Sequence, residues 1–376
     1  MSQALSAGVV AAVVGFSSSF VVVLAGLGAV GASTAEAGSG LVALCLAQAA
    51  GMVWLALRHR QPLALAWSTP GAALLLTTGE TAGGWSAAVG AFIVTGLLIC
   101  LTALVPRLGD VVAAIPVSLA QAMLAGVLLP ICLAPVTALA SSPAAVAPVV
   151  LTWLALSRIA PRWAVPASLA VALAVVAVTA GAPATTLPTL ALTSPTWTVP
   201  AVVGIAVPLY VVTMASQNVP GVAVMAGLGY RVPWRDALAT TGVGTIAAAP
   251  FGGHAVNLAA ITAALAAGPD AGPDRARRWP ASLGAAATYV LLAAAAGLIT
   301  GLVAAAPSGI IEAAAGLALL GTLAASLKAS LAEESARMAT TLCLVTAASG
   351  VTVLGVGSAF WALVVGIAAR RWLRIS

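Results

Sequence analysis

The stretch Pro62-Leu-Ala-Leu-Ala-Trp67-Ser68-Thr69-Pro70-Gly71, followed by Ala72 to Thr78, decides the fold. It is apolar enough to lie in a membrane, yet Ser68 to Gly71 interrupt it halfway. Ser68 or Thr69 caps a helix whose first turn accepts Pro70. Ten helical residues rise only ~15 Å, half of the ~30 Å hydrocarbon thickness, so the preceding residues, near 63–67, must cross the remainder extended. A second stretch repeats the pattern: Ala247 to Phe251, then Gly252-Gly253-His254-Ala-Val-Asn257, then Leu258 to Ala267. It predicts strand-like backbone near 247–251 and a half-helix starting near Gly253. Backbone that leaves helical geometry at this depth must be buried in protein or line a cavity, because lipid cannot satisfy its N–H and C=O groups.

The rest of the chain puts both stretches in lipid. Of 376 residues, 62% are hydrophobic and 6% charged, against ~25% charged in an ordinary soluble domain. The 15 Lys and Arg with 9 Asp and Glu are too few to cover soluble domains of this length. At ~20 apolar residues per crossing there is room for roughly 12 to 14 helices and almost no soluble catalytic domain. The apolar runs lack period-two alternation, which excludes an outer-membrane β-barrel. A net charge of +6 here reports membrane sidedness and gives no reason to expect a nucleic-acid partner. Cys45, Cys100, Cys132 and Cys343 lie singly in apolar runs without ligand spacing, so they read as packing residues, and neither metal nor cofactor is expected.

Turn residues and charges divide the chain into fourteen spans, near 8–31, 40–57, 62–79, 84–105, 111–133, 143–157, 163–181, 199–226, 234–247, 248–267, 281–304, 309–327, 337–353 and 355–372. Threaded from a cytoplasmic N-terminus, the loops holding Arg58 and Arg60, Arg107, Arg158 and Arg162, Arg231 and Arg235, Arg275 to Arg278, Lys328 and Arg337, and Arg370 to Arg374 all fall on one side. The expected placement is therefore the inner (cytoplasmic) membrane of a cell, in contact with lipid, with both termini cytoplasmic. The two interrupted spans are the third of each set of seven. Seven crossings per half invert the halves relative to each other and bring the broken helices together at the midplane, the layout of a secondary transporter. The expected fold is thus an all-α integral membrane protein of about 14 segments in two inverted seven-segment repeats, with spans 3 and 10 each a short strand plus a half-helix.

Four motifs, Gly15-Phe-Ser-Ser-Ser-Phe20, Ala66-Trp-Ser-Thr-Pro-Gly71, Thr213-Met-Ala-Ser-Gln-Asn-Val-Pro-Gly221 and Ala249-Pro-Phe-Gly-Gly-His-Ala-Val-Asn257, together resemble the benzoate/H+ symporter (BenE) family. Through it the chain is distantly similar to the nucleobase/ascorbate transporters. The resemblance implies a core at 1–107 and 198–304 and a gate at 108–197 and 305–376. It also implies a departure, since Gln217 and His254 stand where the nucleobase branch has carboxylates. Removing two anions and adding an imidazole suits an anionic ligand.

The expected substrate-binding residues are Ser17, Ser18, Trp67, Ser68, Thr69, Gln217, Asn218, Phe251, Gly252, Gly253, His254 and Asn257. Buried amides are either glue between helices or ligand donors, and Ser and Thr often bond their own helix carbonyls. His254 is the expected proton-coupling residue, because an ionisable group at mid-depth is costly and functional by default. Protonating a benzoic-type carboxyl of pKa ~4.3 at pH 7 costs ~3.7 kcal/mol, against ~0.7 for an imidazole near 6.5. His59, between Arg58 and Arg60, reads as a solvated loop residue. The expected function is proton-symport import of a small aromatic carboxylate such as benzoate. The alternatives are an uncoupled anion channel or exchanger and an intramembrane enzyme, the latter lacking any HExxH, GxSxG or Ser/Lys companion to the histidine. A homo-oligomer is compatible with all of these.

Overall fold

The computed structural model describes residues 1–80, 83–105, 116–180, 189–353 and 356–373. Arg107, Arg374, the start of the span expected at 111–133, the end of that at 163–181 and the first residue of that at 355–372 lie outside them. Eight helices among the described residues are long and apolar enough to cross a membrane. Large apolar side chains such as Val178, Leu291 and Trp54 remain exposed on the outer faces of helices, the surface expected where lipid is the solvent.

Two strands lie at the centre. β1 (Leu65–Trp67) pairs antiparallel with β2 (Val256–Leu258), with Leu65 opposite Leu258 and Trp67 opposite Val256. The ladder is extended by Ser68 N–H to the Ala255 carbonyl and Ala259 N–H to the Ala64 carbonyl, both 3.0 Å. β1 leads directly into the half-helix Thr69–Thr78, where the Ser68 hydroxyl accepts the Gly71 N–H and Pro70 occupies the first turn, as its cap chemistry predicts.

The second broken span differs from expectation. No strand forms near 247–251. The helix Trp234–Ala248 instead runs on into a 3₁₀ turn, Ala249–Phe251, and stops at Gly252, whose φ of +95° only glycine adopts freely. The strand comes after the double glycine, at 256–258, and the half-helix is Ile261–Ala267 rather than one starting near Gly253. Of Val256-Asn257-Leu258 only Val256 is β-branched, and Asn disfavours a strand, so this three-residue strand exists because β1 pairs with it.

Two further spans are irregular. The first breaks at its serine run into Ser2–Ser17 and Phe20–Ala29, where Ser17, Ser18 and Ser19 turn their hydroxyls back on the Val14 and Gly15 carbonyls. The eighth holds π turns at Val202–Ala206 and Met214–Asn218. In each, the residue at or next to a proline shifts the bonding: Val207 N–H reaches Val202 and Val219 N–H reaches Met214, and Pro208 and Pro220 follow with no N–H to give.

Around this centre, Thr34–His59 packs on Pro280–Ala304 and Trp234–Ala248, and Gly84–Leu104 lies along Trp234–Ala248. A second group joins Val117–Ser141 to Ile310–Ser330 and Arg337–Ala348. An extended stretch at 189–198 crosses the first group, tied by Ala191 N–H to Ser39 Oγ, Thr193 N–H to the Pro250 carbonyl and Thr196 N–H to the Ser86 carbonyl. Basic loops meet at one end. Asp236 accepts from Arg58 and His59 at 3.0 Å each, so His59 is paired rather than simply solvated. Arg60 lies over the Trp279 ring, and Gln61 donates to the Arg231 carbonyl.

The helix Phe20–Ala29 approaches the Thr69–Thr78 half-helix so closely that a Cβ on Gly26 would sit 2.3 Å from the Ala72 carbonyl oxygen. Gly26→Ala should therefore cost about 1–3 kcal/mol through overpacking and lower the unfolding midpoint of the detergent-purified protein. Gly28→Ala, on the same helix with nothing within 4 Å, should leave that midpoint unchanged or raise it slightly.

Candidate functional site

The strands, the first half-helix, the broken first span and the second π turn converge on a small cavity. Its lining includes Ser18, Trp67, Thr69 and Gln217, joined by Gly15, Ser19, Thr262 and Tyr289. Its volume is about 50 Å³, nearer to the ~30 Å³ occupied by each water in the liquid than to a ~300–1,000 Å³ ligand pocket. The cavity is therefore small in this conformation. Among the described residues, no charged side chain is in the lining.

Each wall has a local cause. Trp67, at the end of β1, is fixed by its indole N–H donating to Ser19 Oγ at 2.8 Å, with its ring edge-on to Phe16 and Tyr289. Gln217 and Asn218 are adjacent in the π turn but face different ways. Gln217 reaches the cavity and has no hydrogen-bond partner among the described residues. Asn218 is fully buried, accepts the Leu258 N–H at 2.9 Å through Oδ1, and donates towards Met214 Sδ. It is glue for β2 in this conformation.

The other expected site residues divide similarly. Ser68 is buried behind the cavity, where its hydroxyl accepts from Gly71 N–H and Thr213 Oγ1. Ser17 bonds its own helix and is not in the lining. Phe251, Gly252 and Gly253 form the turn packed on Thr34–His59, where Ser39 Oγ donates to the Phe251 carbonyl at 2.8 Å and Gly40 abuts Gly252. Asn257 is buried in β2, donates to the Leu258 carbonyl, and leaves Oδ1 without a partner.

His254 was expected in the first turn of a half-helix, and it lies instead on the extended link before β2, because Gly252 ends the preceding helix and the strand intervenes. It is fully buried and outside the cavity lining. Its Nε2 stands 2.9 Å from the Ser68 carbonyl oxygen. A carbonyl only accepts, so Nε2 carries the hydrogen. Nδ1 has no partner, and the ring meets Phe92 edge-on at 6.4 Å.

A second, larger cavity of about 540 Å³ lies between Phe20–Ala29, the far end of the half-helix at Leu76 and Thr77, and Pro130, Ile131 and Ile311 on the opposite group. Among the described residues Glu312 is the only charged side chain in its lining, and its carboxylate already accepts the Gly309 N–H at its helix start. The described residues contain no cluster of His, Cys, Asp or Glu arranged to hold a metal ion.

The family model for benzoate membrane transport proteins (BenE) matches residues 1–372. The chain belongs to the BenE family. It is 39% identical over 369 residues to the inner membrane protein YdcO of Escherichia coli, covering 96% of this chain and 93% of that protein. It is 28% identical over 321 residues to the benzoate membrane transport protein of Acinetobacter baylyi, covering 84% and 81%. Among solved structures, the transmembrane domain of a cyanobacterium bicarbonate transporter, BicA, is similar with a TM-score of 0.62 at 15% identity over 97% of both chains. The murine anion transporter Slc26a9 is similar with a TM-score of 0.68 at 12% identity, over all of this chain and 68% of that one. These likenesses establish a shared transporter fold. This BenE chain is a multi-pass membrane transporter and not an enzyme.

Sequence reasoning missed Tyr289, Thr262 and Gly15 as parts of this BenE cavity. Tyr289 lies in an Ala-rich crossing where a lone tyrosine reads as packing, and only its meeting with Trp67 and Gly15 reveals it. The contrast between the adjacent amides is testable. Asn218→Ala leaves the buried Leu258 N–H unpaired and should cost about 1–3 kcal/mol, seen as a lower thermal midpoint. Gln217→Ala should leave the midpoint nearly unchanged.

Proposed function

We propose that the chain imports a small aromatic carboxylate, such as benzoate, by proton symport. The observation that carries this is the cavity in which the unpartnered Gln217 amide and the Thr69 hydroxyl meet at the N-terminus of the Thr69–Thr78 half-helix, beside the Trp67 ring. A helix N-terminus favours an anion by ~0.3–2 kcal/mol, and a charge-assisted hydrogen bond adds ~1.5–3 kcal/mol. Together they orient a carboxylate without a buried arginine. Trp67 supplies an apolar face for a ring. The substrate named for the Acinetobacter baylyi relative agrees with both.

The organisation we assign is 14 segments in two inverted repeats, with a substrate-binding core at 1–107 and 198–304 and a gate at 108–197 and 305–376. Its support is the antiparallel pairing of two strands that each lead into a half-helix. The basic loops gathered around Asp236 support a cytoplasmic face there and cytoplasmic termini.

We assign proton coupling to His254, acting through Ser68. An imidazolium next to the Ser68 carbonyl lies one residue from the Thr69 terminus, so a bound carboxylate and the proton stabilise each other across one peptide unit. The second reading is uncoupled anion passage, favoured by the position of His254 outside the cavity lining.

Uptake of benzoate into liposomes under an imposed pH gradient tests the proposal. Wild-type protein should accumulate benzoate only with the proton gradient directed inward. Gln217→Ala should weaken apparent affinity about tenfold or more. His254→Gln should retain benzoate exchange but lose gradient-driven accumulation. Accumulation that ignores the gradient in the wild type would select the uncoupled reading instead.

A further inference from the structure

Tyr289 rises from Pro280–Ala304 to the cavity, 3% exposed, with its ring edge-on to Trp67 at 6.0 Å. A buried tyrosine hydroxyl normally finds a partner. Among the described residues Tyr289 Oη has none, and it faces the cavity beside Thr262, whose hydroxyl is likewise unbonded. The indole N–H of neighbouring Trp67, by contrast, is already taken by Ser19.

Gly15 explains why the hydroxyl stays open. A Cβ there would come 3.0 Å from Tyr289 Oη and 3.1 Å from the Thr262 methyl, with the Thr262 hydroxyl 4.0 Å away, filling the space in front of the Tyr289 hydroxyl. The cavity thus has two sets of unpartnered polar atoms, Gln217 with Thr69 and Tyr289 with Thr262, and an aromatic wall at Trp67. Such a lining matches a flat ring carrying a polar group besides its carboxylate.

We infer that Tyr289, assisted by Thr262, is a specificity-determining residue that hydrogen-bonds a hydroxyl substituent on the substrate ring, making monohydroxybenzoates better ligands than benzoate. The inference rests on the aromatic-carboxylate reading above, with the carboxylate held at Gln217 and Thr69. The phenol can donate to or accept from the substituent. Leaving this buried pair unmet by unsubstituted benzoate is the source of the discrimination.

The test is calorimetric binding of benzoate and of 2-, 3- and 4-hydroxybenzoate to the detergent-purified full chain. The best hydroxybenzoate should bind wild type about five- to tenfold more tightly than benzoate, the size of one net neutral hydrogen bond. Tyr289→Phe keeps the ring packed on Trp67 and should erase that preference, weakening the hydroxybenzoate and tightening benzoate, which no longer buries an unmet hydroxyl. Gly15→Ala, which crowds the hydroxyl, should penalise the hydroxybenzoate more than benzoate. A wild type with no preference overturns the inference. So does a preference that survives Tyr289→Phe, or an equal loss for both acids, which would mark Tyr289 as packing only. Binding of none of the four acids to wild type is a different failure, because it removes the aromatic-carboxylate reading itself.

Discussion

Every unusual feature of this chain follows from the need to satisfy backbone polar groups where there is no water. Two crossings abandon the helix halfway, and each extended residue then presents an N–H and a C=O to the membrane interior. Pairing β1 with β2 satisfies one edge of each strand. The outer edge of β2 and the backbone flanking β1 are met by side chains: Thr245 Oγ1 accepts the Val256 N–H, Asn218 Oδ1 accepts the Leu258 N–H, Ser282 Oγ donates to the Leu63 carbonyl, and His254 Nε2, from the link before β2, donates to the Ser68 carbonyl. Four polar side chains that look unrelated in the sequence thus share one task. Removing any of them exposes a buried backbone group, which costs more than the net worth of the bond itself.

The same constraint shapes the electrostatics. A site built this way needs no buried charged side chain, because its polarity comes from amides, hydroxyls and a helix terminus. Acidic residues are correspondingly placed at helix starts. Glu36 closes a capping box with Ser33, and Glu312 accepts from the Gly309 backbone. Arginines serve the loop ends, where Arg278 is buried among the Gly272, Ala267 and Pro273 carbonyls. Among the described residues the lining of the small cavity therefore offers a ligand no fixed charge. Arg58, Arg60 and Arg231 stay in the loops around Asp236.

Legibility in the sequence followed how local each cause was. The third span was readable because Ser68, Thr69 and Pro70 carry helix-start chemistry in consecutive residues. The tenth was readable as a break but not in its order, since Gly252 and Gly253 suit the end of a helix as well as the entry to one. The strand at 256–258 depends on a partner 190 residues away in sequence, which no local pattern contains. Gln217 and Asn218 looked alike as adjacent mid-membrane amides. Their opposite roles come from the π turn before Pro220, a rotation invisible to helical periodicity. The serine run at 17–19 was read as a source of hydroxyls for a cavity; Ser18 and Ser19 do line it, while the back-bonding of all three, which breaks the first span, was not read. Tyr289 was the hardest to read, because its role depends on Gly15 and Trp67 from two other crossings.

In the proton symport proposed above, the placement of His254 changes how coupling has to work. A histidine lining the cavity would meet the anion directly, and the imidazolium and carboxylate would form an ion pair that must be broken for release. Here the ring is behind the Ser68 peptide, and its hydrogen-bonded nitrogen is committed to holding the strand-to-helix junction. Only Nδ1, unpartnered and enclosed, is free to take a proton. A cation formed there and left unpaired is expensive in a low-dielectric interior, and the helix start at Thr69 is one residue from the carbonyl that the ring holds. On the proposed reading the histidine thus responds to occupancy of the cavity without touching the ligand. Because the same ring secures the Ser68 carbonyl, protonation also acts on the junction that orients the half-helix. Backbone satisfaction and the direction of the helix terminus meet at that single hydrogen bond, the point at which the proposed coupling acts on the place where the chain bends.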